Sequence, residues 1–158
     1  MVLELAMWIP VLLLLISGVI QFGKIAYLYY TLRKIEYGIA RTVSIGSAIN
    51  FCPDAGDTLI QGAIEFALTG TSDGSGTPLV SNLTPAMISV TTECIDPATG
   101  LPGPCDTSGC DGAAGAHRPD YVVVTIPEGY PVEPRIPFIL LDPFQLRPTV
   151  AVPFGGVS

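Results

Sequence analysis

The sequence predicts an α+β chain: a very long N-terminal α-helix, apolar in its first half, carrying a small globular head with a short helix and a small antiparallel β-sheet. Three observations predict it. No charged side chain occurs from Leu5 to Gly23, helical spacing of apolar residues continues well past that point, and β-branched or alternating runs appear only beyond residue 85.

The uncharged run "LAMWIPVLLLLISGVIQFG" has 19 residues. As a helix it spans roughly 28 Å, close to the hydrocarbon thickness of a bilayer. It is too long for the apolar core of a signal peptide, no basic stretch precedes it, and no small-residue cleavage site follows. Beyond it, Ile25, Leu28, Tyr29, Leu32, Ile35, Ile39 and Val43 recur at three- and four-residue intervals, so one apolar stripe continues on a helix that has become amphipathic. Residues 2–49 are therefore expected to form one helix of roughly 70 Å. Pro10 removes a backbone donor and crowds the carbonyl of Ala6, so a kink or local opening is expected there. Gly18, Gly23 and Gly38 weaken the helix and permit close approach of another helix.

Composition bounds the function. The chain has 158 residues, of which 49% are hydrophobic and 13% charged, about half the usual charged share. Residues 1–50 carry Lys24, Arg33, Lys34 and Arg41 against Glu4 and Glu36, a net of +2. Residues 51–158 carry three arginines, no lysine and twelve acids, a net of −9. An acidic head without lysine repels phosphate, which works against nucleic-acid binding. With His117 as the single histidine, most histidine-based catalysis and zinc chemistry is removed. No acid, base and nucleophile combine into a catalytic constellation, and no cofactor motif is present, so the chain is read as a non-enzyme.

Glu4 stands at the tip of the apolar helix. In one reading it sits in headgroup water, where the helix dipole favours an anion. In the other it meets the free N-terminal ammonium of Met1 in a neighbouring copy, which neutralises two buried charges and sets the axial register between helices.

The first 45 residues or so resemble the N-terminal region of TadE-like pilins and pseudopilins, within the wider type IV pilin superfamily. The resemblance rests on the carboxylate just inside the start (Glu4), the Ile9-Pro10 break, the leucine block, the run Gly18-Val19-Ile20-Gln21-Phe22-Gly23, and the aromatic amphipathic continuation. The carboxylate is fourth where pilins usually have it fifth, and neutral Gln21 replaces the family's usual acid. The resemblance implies a prepilin that is held in the inner membrane and trimmed by a leader peptidase. An assembly machine then extracts it into a filament on the cell surface. Met1, Glu4, Pro10, Gly18, Phe22 and Gly23 are then the assembly residues.

The division expected is 1–50 as the membrane and filament-core helix and 51–158 as an extracytoplasmic head. In the head, Cys52-Pro53-Asp54 breaks the chain, and a short helix is expected over about 54–69, ended by Gly70. Strands are expected at about 86–95, 120–127 and 147–154. The proline-spaced "PEGYPVEPRIPF" suits extended coil or a sheet edge. Cys52, Cys94, Cys105 and Cys110 all lie outside the apolar helix. An even count outside the cytoplasm favours two disulfides with three possible connectivities, of which Cys105–Cys110 with Cys52–Cys94 is preferred. Asn82-Leu83-Thr84 is an N-glycosylation sequon. Asp106, Asp111 and Asp120 lack the order of a calcium loop, and His117 lacks a nucleophile motif, so solvated loops are expected at both.

A structural pilin subunit forming a homopolymer is thus the leading expectation. A minor pseudopilin that initiates or tips a pilus comes next, then a single-span anchored binding module.

Overall fold

A computed structural model of the chain describes residues 2–46, 49–52, 57–105, 118–136, 139–140 and 142–155, with side chains described outside 2–7 and 135–140. Helix α1 runs from Val2 to Ser44, a little shorter than its apolar spacing suggests, and passes unbroken through Pro10. Its last turn is closed locally. Ser44 Oγ donates to the Arg41 carbonyl at 2.9 Å, and the Gly46 N–H donates to the Val43 carbonyl at 3.1 Å. Ile49 is also buried, from the segment that follows the helix.

Helix α2 (Thr58–Thr69) begins four residues later than its first expected turn, because Asp57 rather than Asp54 caps it. One Asp57 oxygen accepts the Leu59 N–H at 2.7 Å. The other accepts the Asn50 N–H, also at 2.7 Å, and ties the incoming chain to the helix start. Pro53 and Asp54, the expected break, lie outside the described residues. Gly70, at φ 78°, ends α2 with its N–H on the Phe66 carbonyl at 2.8 Å. That left-handed geometry suits glycine.

The main sheet is antiparallel, with strand order β2-β1-β3-β8, formed by β1 (Ser89–Ile95), β2 (Pro102–Pro104), β3 (Tyr121–Thr125) and β8 (Thr149–Pro153). Three of these strands follow the β-branched runs. The first starts slightly late because Pro85–Met87 forms a 3-10 turn. The central strand β3 buries Val122, Val123 and Val124 together, which is why "YVVVT" does not alternate. The proline-spaced segment supplies the edges it suits: β4 (Tyr130–Val132) pairs with β7 (Phe144–Leu146), and β5 (Arg135–Ile136) pairs with β6 (Ile139–Leu140).

The core lies where the second half of α1 meets α2 and the sheet. Leu32, Ile35, Ile39, Ala40 and Val43 of α1 pack with Ala63, Ile64 and Leu68 of α2, and with Val122, Val124 and Val150 of the sheet. Ile25 and Leu28 border that cluster. The stripe read from the sequence is thus the face of α1 that carries the head.

Candidate assembly surface

The first half of α1 is exposed along most of its described residues. It is long and apolar enough to cross a membrane, and none of its most apolar stretch is buried. Trp8, Val19 and Phe22 are 64%, 73% and 74% exposed. Exposing so many large apolar side chains to water is costly, at roughly 1.5–3 kcal/mol each relative to burial. This segment therefore needs either lipid or another protein surface.

The expected assembly residues are distributed along it. Glu4 occupies the N-terminal end of the helix, with its side chain outside the described residues, and Met1 lies outside them altogether. Pro10 is exposed on the continuous helix. A methyl group added at Gly18, Gly23 or Gly38 would meet nothing within 4 Å. Within one chain, no close contact depends on these glycines, and their surfaces are open to a second helix.

The disulfide preference needs correction. Cys94 pairs with Cys105, with Cα atoms 4.8 Å apart, so neither Cys105–Cys110 nor Cys52–Cys94 forms. The strand register explains the choice. Cys94 on β1 stands opposite Gly103 on β2, and Cys105 follows directly after that strand. Cys52 is disulfide-bonded as well, and Cys110 lies outside the described residues. A three-residue strand containing two prolines gives almost no sequence signal, and without β2 the nearness of Cys94 to Cys105 could not be read.

Other singled-out residues have local structural surroundings. Asp120 accepts the Ile95 N–H at 2.7 Å and closes the end of β1; Asp106, Asp111 and His117 lie outside the described residues. Asn82 is exposed at φ 61°, a left-handed conformation that asparagine tolerates better than most residues. The carbonyl of its neighbour Ser81 accepts the Tyr130 hydroxyl at 2.6 Å. Asp96 is held below the usual carboxylate range by the Ala98 N–H and the Thr99 hydroxyl, and Asp73 by the hydroxyl and N–H of Ser75.

Glu36 is the residue that sequence reasoning missed. In the sequence it enters only the net charge of residues 1–50, yet it is 1% exposed and neither carboxylate oxygen has a hydrogen-bond partner. It lies thirteen residues beyond Gly23, outside the apolar span and inside the head core. Burial raises its pKa to about 7, against the lowering effect of Arg33. The available signal was positional: Glu36 falls between Leu32 and Ala40 at one-turn spacing, inside the buried stripe.

No curated protein and no solved structure matches the chain. A family model described as TadE-like protein matches residues 1–34. The matched residues are the exposed apolar half of α1 and the turns that lead it under the head, and over that segment the chain is similar to TadE-like, pilus-associated proteins.

Proposed function

We propose that this chain is a structural pilin subunit that polymerises through the apolar half of α1 into an extracellular pilus-like filament. Before assembly that half holds the chain in the inner membrane, and a leader peptidase and an ATP-driven assembly machine act on it there. One observation carries the reading: on a single continuous helix, one face of the second half is buried by the head, while none of the most apolar stretch of the first half is buried. Leaving lipid forfeits the burial of many large side chains, and a bundle of the same helix from other copies restores a dry environment. Repetition of one contact without closure gives a helical polymer. In that bundle Glu4 meets the N-terminal ammonium of an adjacent copy and sets the stagger.

The test is electron microscopy of fibres sheared from cells, with their protein content determined. This chain should dominate the fibres. Glu4→Ala should abolish them while the head keeps its disulfide and its protease resistance. A chain found only as a rare fibre component would make it a minor pseudopilin. A chain recovered only as membrane-bound monomers, indifferent to Glu4→Ala, would overturn the filament reading in favour of an anchored binding module.

A further inference from the structure

On the side of α1 turned away from the head core, Tyr27, Tyr30, Lys34, Tyr37 and Arg41 follow one another at alternating three- and four-residue spacing, and all five are exposed. Such spacing draws a straight seam along a helix. The seam continues the line of Ile9, Leu13, Ile16 and Ile20 below it, which are exposed as well. Tyr27 and Tyr30 are 76% and 71% exposed. They form one wall of an open groove of about 460 Å³, with Phe66 of α2 and Leu79 on its far side. Tyrosine with interleaved cations, flanked by exposed Phe and Leu, is the composition of an interface rather than of a solvated face.

Charge selects the occupant. Lys34 and Arg41 make no ion pair among the described residues. An identical seam from another copy would set these cations against themselves. An anionic lipid surface does not reach them. At 1.5 Å per residue, Lys34 stands roughly 16 Å and Arg41 roughly 27 Å beyond Gly23, whereas the headgroup layer is only about 5–8 Å deep and the field falls off within about 8 Å. The head carries −9 and no lysine, with exposed carboxylates at Asp73, Asp96, Glu128 and Asp142. We propose that the seam Tyr27–Tyr30–Lys34–Tyr37–Arg41 is the seat for the acidic head of a second copy of this chain. This rests on the filament reading and adds to it which surface of the neighbour covers the upper stem.

The test places a photoreactive benzoylphenylalanine at Tyr30 in the full chain, expressed in cells and irradiated there. The expected product is a dimer whose cross-linked peptide maps to residues 51–158 of the second copy. Lys34→Glu with Arg41→Glu should cut its yield roughly tenfold, while Lys34→Arg with Arg41→Lys should keep it. Both pairs lie on exposed positions, and unchanged protease resistance will verify the fold. An adduct to α1 of a second copy, to lipid or to another protein, or no adduct at all, overturns the proposal. Sheared fibres from the same cells separate the two readings. Fibres built of this chain but lacking the head adduct sink this inference alone, and absence of fibres sinks the filament.

Discussion

Arg33 and Glu36 lie three residues apart on α1, with opposite surroundings. The guanidinium is in solvent, and the carboxylate is in the head core with both oxygens unpartnered. A full salt bridge would require one of them to cross the boundary between core and water. Their attraction therefore only moderates the burial effect on Glu36, and the carboxyl group favours its neutral form up to about pH 7.

The sign of the resulting pH dependence follows. Folding raises the pKa of Glu36 from 4.5 to about 7, so the folded state binds the proton more tightly than the unfolded state. The favourable contribution is complete below about pH 4.5 and is lost as pH rises through about 7, a change on the order of 3 kcal/mol. Denaturation of the chain in detergent should show stability falling between pH 5 and 8. Glu36→Gln should flatten that fall and be the more stable protein at pH 8. A wild-type curve flat across this range would show that Glu36 gains a partner or water.

The Cys94–Cys105 bridge secures an edge strand with little else to hold it. In β2, Pro102 and Pro104 have no N–H to donate to the ladder. Replacing both Cys94 and Cys105 by serine should cost about 2–3 kcal/mol for a loop of this length. The loss should be local: amide exchange should rise in residues 93–104, while β3 and β8 keep their protection. Exchange rising equally across all four strands would mean that the bridge holds the whole sheet.

What could be read from the sequence depended on how much each element relies on itself. Helix α1 states its own length in its uncharged run and its own period from Ile25 to Val43, and that stripe names the core face in advance: Leu32, Ile35, Ile39 and Val43 are all buried. Strands β1, β3 and β8 carry their own β-branched runs. Strands β2, β4, β5, β6 and β7 have two or three residues each, too few to show a period, and exist because a partner strand lies alongside. The disulfide pairing depended on one of them and failed with it. Glu36 failed for another reason: charge was weighed as a total, while burial is decided by a residue's angle on the helix.

Gly129 marks a position with no room for a side chain. Its φ is 80°, and an added Cβ would come within 2.8 Å of Gln145 Cβ and 2.9 Å of Arg147 Cγ. Gly129→Ala combines backbone strain with a push against β7, and should cost about 1–3 kcal/mol. Thermal unfolding measures the loss. Gly103→Ala serves as the control, since its added methyl meets nothing and should change stability by less than about 1 kcal/mol.

Asp57 links the end of the α1 connection to the start of α2 through two separate oxygens, and two substitutions can divide its roles. Asp57→Asn keeps one acceptor for the Leu59 N–H but turns an amide NH₂ toward the Asn50 N–H, where donor faces donor. Asp57→Ala removes both acceptors. The cap alone is worth about 0.5–2 kcal/mol, and the bond to Asn50 about 0.5–1.5 kcal/mol. Denaturant unfolding should rank the proteins as wild type, then Asp57→Asn, then Asp57→Ala, with each step near 1 kcal/mol. If asparagine is as stable as wild type, the Asn50 bond contributes nothing and the cap is the whole role of Asp57. If asparagine and alanine fall together, the tie to Asn50 is what positions α2 against α1, and the cap depends on it.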